Sequence, residues 1–222
     1  MKVYLLYIVL PTLLVQALCT AEYREHKFGS WTIHVEVIAE SGKKEWLQKA
    51  HKKLERDLLH IEEIIPEKHL VELKKVPFWI SYHSQRGAAY HPSREWLIRN
   101  DRHPGMARSI EIQNAKDFIN WASIQPMMTL HELSHGYHHQ VLDYNHEGIK
   151  AAYAKAKEEG LYDKVPHLDG RPRKAYAMTN DKEYFAELTE AYFGKNDFYP
   201  FIRSELKEHD PLGYALVAEI WK

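Results

Sequence analysis

Residues 130–137 read LHELSHGY and contain an HExxH pattern, in which two histidines flank a glutamate. His131 and His135 are four residues apart, so on a helix their imidazoles lie on one face and can converge on a single cation. Glu132 then stands beside them, within reach of a water molecule on that cation. We therefore predict a helix over residues 126–142 that carries two metal ligands and, beside them, a glutamate within reach of a metal-bound water.

The composition is that of an ordinary globular protein and favours nitrogen and oxygen as metal ligands. The chain has 222 residues, of which 45% are hydrophobic and 27% charged, with a formal net charge of −1. This near-neutral balance gives no field that would attract nucleic acid, so no nucleic-acid partner is expected. Fifteen histidines and one cysteine exclude a disulfide framework and a cysteine-rich zinc site.

The first residues have the pattern of a secretory signal. A lysine at position 2 precedes an apolar run, which ends near small residues. We predict a signal peptide over residues 1–19, with cleavage after 21 fitting equally well, and a single domain over residues 20–222. The run is interrupted by Pro11 and shorter than the roughly 20 residues that span a bilayer, so no stable membrane association is expected after cleavage. The mature protein would be secreted and extracellular; a retained anchor or a lipid on Cys19 are the open alternatives.

The hydrophobic pattern predicts an α+β fold. A small twisted sheet is expected in the N-terminal half, and a helical C-terminal half is expected to carry the metal ligands. The predicted strands are residues 31–38, 76–82 and 109–113, the last as an exposed edge strand, with residues 86–106 as loop. The predicted helices are residues 41–65, 126–142, 146–159, 180–193 and 201–221, the last broken near Pro211.

A third metal ligand has to come from outside the HExxH pattern. The extended pattern HExxHxxGxxH requires glycine at position 138 and histidine at position 141, whereas the chain has His138 and Val141. A glutamate from a later helix is the other common solution, and Glu183 and Glu187 are both candidates because they are four residues apart. One can bind the metal while the other accepts a hydrogen bond from a ligating imidazole.

The two segments together resemble a known family. HExxH followed by a tyrosine and the run NDKEYFAE at 180–187 is similar to the gluzincin zinc metallopeptidases, in particular the catalytic domain of anthrax lethal factor and its relatives. The similarity is confined to residues 130–137 and 176–190. It implies a zincin-like fold, one Zn²⁺ ion and hydrolysis of peptide bonds. The roles it implies are zinc ligation by His131, His135 and Glu183, general base catalysis by Glu132, oxyanion stabilisation by Tyr176, and hydrogen bonding to a ligating histidine by Glu187.

These observations predict a secreted zinc-dependent metallopeptidase acting on a peptide or protein. An extended substrate is expected to pair with the predicted edge strand at Ile110, Glu111 and Ile112. A zincin-fold protein that binds zinc without cleaving peptides is the main alternative, and a structural or metal-scavenging protein is another. Glu183 has a further interpretation as the third residue of a capping box that begins at Asn180. Packing is the alternative for Tyr176. A solvated acidic face is the alternative for Glu187 and the favoured interpretation of Glu190.

Overall fold

The computed structural model describes residues 21–85 and 87–222. The predicted signal peptide lies outside the described residues, so its cleavage stays a prediction. Within the described ranges, no helix combines the length and apolar character needed to cross a membrane. The predicted α+β class is confirmed, with a five-stranded mixed sheet followed by a largely helical C-terminal half.

The sheet contains two strands that were not predicted. Its strands are β1 (Tyr23–Phe28), β2 (Trp31–Glu36), β3 (Phe78–Ile80), β4 (Ala88–His91) and β5 (Ser109–Ile112), in the order β1-β2-β3-β5-β4. The outer pairs β1–β2 and β4–β5 are antiparallel, whereas β2–β3 and β3–β5 are parallel. β1 lacks a buried face and therefore shows no clear alternation of apolar and polar residues.

The prediction of residues 109–113 as an edge strand is wrong. β5 lies between β3 and β4, and all four of its residues are buried. The reason lies in residues 86–106, which were predicted to be loop. They contain β4, which pairs antiparallel with β5 and takes the edge position, and helix α3 (Arg94–Arg99).

Most predicted helices are present within a few residues of their expected ends. The helices are α1 (Ser41–Ile64), α2 (Glu67–Leu73), α3, α4 (Ala115–Asn120), α5 (Met128–Tyr137), α6 (Glu147–Glu158), α7 (Asp181–Phe193), α8 (Arg203–His209) and α9 (Pro211–Ile220). α5 continues into a π-helical turn, His138–Leu142, which completes the predicted helix. α6 ends before Gly160, whose φ of +66° is easily adopted by glycine.

The main hydrophobic core joins the sheet to the helix that carries the motif. Phe78 and Ile110 from the sheet belong to the same buried cluster as Leu130 and Leu133 from α5 and Phe185 from α7. Every residue of α5 is buried, and α7 packs alongside it. α5 and the central part of α7 are therefore tightly packed, which holds the two helices that carry the predicted metal ligands in a fixed relative position.

Candidate metal centre

Three predicted ligands from two helices converge on one point. The Nε2 atoms of His131 and His135 are 3.1 Å apart. The Oε2 atom of Glu183 lies 3.0 Å from the first and 3.1 Å from the second. Both histidines are buried and the glutamate is partly buried, so the group can hold a metal ion.

Local sequence explains how each ligand reaches this point. His131 and His135 are separated by one helical turn on α5, which places them on the same face. On α7, the Asn180 side chain accepts hydrogen bonds from the backbone N–H groups of Lys182 and Glu183, which fixes the first turn of the helix. The carboxylate of Glu183 contacts the two histidines, so its position is explained by the metal site and does not require the capping-box interpretation.

The chemistry of this donor set fits a cation. Nδ1 of His131 is 2.6 Å from Oε1 of Glu190, so the ring donates its proton there and directs the Nε2 lone pair towards His135 and Glu183. Lone pairs and a carboxylate facing each other at 3.0–3.1 Å repel unless a positive charge lies between them. Atoms bound tetrahedrally to zinc at about 2.0–2.1 Å lie roughly 3.3 Å apart, close to the observed spacing.

The residue that orients His131 is Glu190, not Glu187 as the family resemblance implies. Glu190 hydrogen-bonds to His131 Nδ1, whereas Glu187 Oε2 accepts a hydrogen bond from the Asn196 side chain at 3.2 Å. The two glutamates are 4% and 3% exposed, so neither belongs to a solvated acidic face. They are three positions apart on α7, and it is Glu190 that reaches the imidazole.

The carboxyl groups of this region differ in their proton affinity. Burial opposes ionisation of Glu183, but the ring nitrogens of His131 and His135, when they carry a proton, donate hydrogen bonds that outweigh burial and lower the pKa of that carboxyl. Burial raises the pKa of Glu190 to about 7, although its bond with His131 acts in the other direction. Burial, together with the nearby Glu190 and Asp197, also raises the pKa of Glu187. Charge is therefore concentrated at Glu183, where a cation would bind.

The cluster opens onto a cavity of about 660 Å³ that also contains the two predicted catalytic residues. Glu132 lines this cavity, and its Oε2 accepts a hydrogen bond of 2.8 Å from the backbone N–H of Tyr90 on β4. Tyr176 lines it as well and is 49% exposed, with its ring centroid 6.3 Å from that of His131. Burial and the Glu183 carboxylate raise the pKa of Tyr176, so its hydroxyl keeps its proton at neutral pH.

The structure separates the predicted substrate-binding residues from this cavity. Ile110, Glu111 and Ile112 lie in the inner strand β5, where β3 and β4 already pair with it on both sides. The carboxylate of Glu111 points to His91 Nε2 at 2.9 Å and to Arg102, and it lines a different cavity. These three residues therefore cannot add a substrate strand.

Two residues of the site, Glu190 and Tyr90, were given no role in it from the sequence. Glu190 is seven residues after Glu183, so it lies on the same face of α7, and this spacing is a usable signal. Tyr90 acts through its backbone N–H, which any residue except proline would provide, so no sequence signal identifies it.

Comparisons with protein-family models, with characterised proteins and with solved structures return no match. The assignment of the site therefore depends on its residues and their geometry.

Proposed function

We propose that the protein is a zinc-dependent peptidase of the gluzincin type. The observation that carries this proposal is the convergence of His131, His135 and Glu183 at 3.0–3.1 Å at the wall of a cavity that also contains Glu132. Two imidazoles and one carboxylate are the ligand set of many catalytic zinc sites, which leave one position open to water or substrate. A purely structural site closes that position and has no use for a neighbouring base.

The residues around the cluster suit peptide hydrolysis. A zinc ion held there would supply Lewis-acid activation of a water molecule and of the scissile carbonyl. Glu132 would accept the proton from that water and deliver it to the leaving nitrogen, as a general base and then a general acid. The Tyr90 N–H holds one oxygen of the carboxylate in place for this exchange. The protonated hydroxyl of Tyr176 would donate a hydrogen bond to the developing oxyanion.

The open edge of β4 is the surface where we expect an extended substrate to bind. The backbone carbonyls of Gly87 and His91 accept hydrogen bonds from backbone N–H groups on the β5 side. Backbone groups of successive residues in a strand point to opposite sides, so those of Ala88 and Tyr90 point away from β5, towards the open edge. The Tyr90 N–H is already used by Glu132, and Ala88 is left to pair with substrate. The strand lines the cavity, so a peptide added there would lie across the cluster.

A set of variants tests the proposal. Glu132→Gln should retain zinc and lose hydrolysis of an unbiased peptide library, whereas Glu183→Ala should lose zinc itself. Glu158→Gln, which changes an exposed glutamate on α6, is the matched control and should behave as wild type. Zinc content and chelator-sensitive cleavage are measured for each protein. If the wild-type protein binds zinc stably but cleaves no peptide, the catalytically silent zincin-fold protein is favoured. Equal loss of zinc in Glu132→Gln and Glu183→Ala would refute the roles assigned to these two residues.

We also propose that the protein acts outside the cell, on a peptide or protein substrate, without nucleic acid and without stable membrane association. The apolar leader over residues 1–19 supports this proposal. N-terminal sequencing of protein recovered from the medium of an expressing cell should read from residue 20 or 22. A start at Met1, or retention in the membrane fraction, would contradict it.

A further inference from the structure

Three buried carboxyl groups line the cavity beside the predicted metal ligands. Glu187, Glu190 and Asp197 are 3%, 4% and 7% exposed, and all three line the 660 Å³ cavity. Glu190 is occupied by its hydrogen bond with His131 Nδ1. The peptidase chemistry proposed above uses neither Glu187 nor Asp197, so these two side chains need another explanation.

Asp197 is buried with an unused acceptor. Its Oδ1 atom has no hydrogen-bond partner among the described residues, and its Oδ2 atom is 3.6 Å from His167 Nε2. Glu187 accepts one hydrogen bond from Asn196 at 3.2 Å. Within the described residues, no lysine or arginine nitrogen lies within 4.0 Å of either carboxylate. A buried acceptor without a partner is costly, and a hydrogen-bond donor from outside the chain would remove that cost for Asp197 Oδ1.

The remaining wall of the cavity suits the stem of a long side chain. Met128, Met178 and Phe198 line it beside the carboxylates and supply apolar surface. Lys174 is the one lysine or arginine among the described lining residues, and it is largely exposed and lies 3.5 Å from Asp163. The wall therefore combines apolar contacts with carboxyl oxygens at its buried end, an arrangement that matches the apolar stem and the donor group of a lysine or arginine side chain.

We propose that Glu187 and Asp197 form a subsite for the basic side chain of a substrate residue next to the scissile bond. This inference rests on the proposed peptidase function. The two ring nitrogens of His131 face opposite ways, Nε2 towards the metal ligands and Nδ1 towards Glu190. A carboxyl oxygen of Glu187 lies within 4.8 Å of a ring nitrogen of His131, and Asp197 lines the same cavity, so the subsite is close to the reacting centre. A lysine or arginine at a position flanking the scissile bond is long enough to reach it.

A pair of small inhibitors tests the subsite without depending on turnover. Nα-acetyl-lysine hydroxamate and Nα-acetyl-norleucine hydroxamate share a metal-binding group and differ only in the side-chain ammonium. Their dissociation constants for the full zinc-loaded protein are measured by titration calorimetry. We expect the lysine compound to bind about tenfold more tightly or better, because a charge-assisted contact forms in a buried site. The double variant Glu187→Gln/Asp197→Asn should lose this preference, and Glu158→Gln should retain it.

The outcomes separate this inference from the proposed function. Equal affinity of the two hydroxamates for wild type would overturn the subsite and leave the metal site intact. A preference that persists in the double variant, with zinc content unchanged, would also overturn it. Binding of neither compound would contradict the metal-dependent function and the subsite with it. If the double variant fails to fold, the comparison of the two hydroxamates on the wild-type protein still tests the subsite.

Discussion

The hydrogen bond between His131 and Glu190 offers a test of which glutamate supports the metal ligand. Glu190→Gln keeps the size of the side chain and an oxygen that can accept from Nδ1, and removes the negative charge that the ionised Glu190 carboxylate places 2.6 Å from that nitrogen. The charge strengthens the imidazole as a ligand and fixes its tautomer. Its loss should therefore weaken zinc binding without creating a cavity.

The expected size follows from the directness of this contact. Loss of a partner that holds a ligating histidine typically lowers metal affinity by about 10–100-fold, equivalent to about 1.4–2.7 kcal/mol. Glu187→Gln is the matched control, because it makes the same chemical change three residues away on α7. Glu187 contacts Asn196 and no ligating histidine, so its substitution should cause a clearly smaller loss.

Competition with a fluorescent zinc chelator at constant pH and ionic strength measures both affinities. Thermal unfolding of the two variants with zinc removed checks that each keeps the fold. A larger loss of zinc affinity in Glu187→Gln than in Glu190→Gln would refute the geometric argument and would favour the role for Glu187 that the family resemblance implies.

Three further predictions concern the fold and the reaction. Burial opposes ionisation of Glu111, but hydrogen bonds from neighbouring histidines and an arginine outweigh it and lower the pKa of the carboxyl. The ionised carboxylate therefore stabilises the fold above the ordinary pKa of 4.5, and this stabilisation is lost progressively as the pH falls below 4.5. Urea unfolding at pH 7 and pH 4 should show a smaller decrease in the free energy of unfolding for Glu111→Gln than for wild type. Gly213→Ala places a Cβ against the Tyr184 hydroxyl and should lower the free energy of unfolding, measured in urea, by about 1–3 kcal/mol. An unfolding curve identical to that of wild type would show that α9 can shift to make room for the Cβ. Tyr176→Phe should lower kcat by about 100-fold with zinc content unchanged, and unaltered turnover would remove Tyr176 from the reaction.

The helices that carry the metal ligands were predictable because their signals are local. The four-residue spacing of His131 and His135 and the cap at Asn180 depend only on neighbouring residues, and α5 and α7 are found where these signals place them. Convergence of Glu183 on the histidines required the resemblance in addition, since a helix start alone is also consistent with a capping role.

The edge of the sheet was not predictable because strand order is a tertiary property. β4 has four residues with the sequence AAYH, too few and too weakly alternating to stand out from loop. In β5 the polar residues Ser109 and Glu111 alternate with Ile110 and Ile112, which is typical of an exposed strand. Here Glu111 is buried, and His91 and Arg102 hydrogen-bond to its carboxylate. These partners from other parts of the chain allow a charged residue to occupy an inner strand. The same limit applies to Glu187 and Glu190, whose spacing from Glu183 puts both on one helix face.

The metal content of the purified protein and the coordination of that metal test the central claim most directly. Elemental analysis combined with zinc X-ray absorption should give one zinc per chain, with nitrogen and oxygen ligands at about 2.0–2.1 Å and an imidazole signature that disappears in the double variant His131→Ala/His135→Ala. Zinc far below one per chain after reconstitution, or an unchanged spectrum in that variant, would show that these histidines and Glu183 do not form the metal centre.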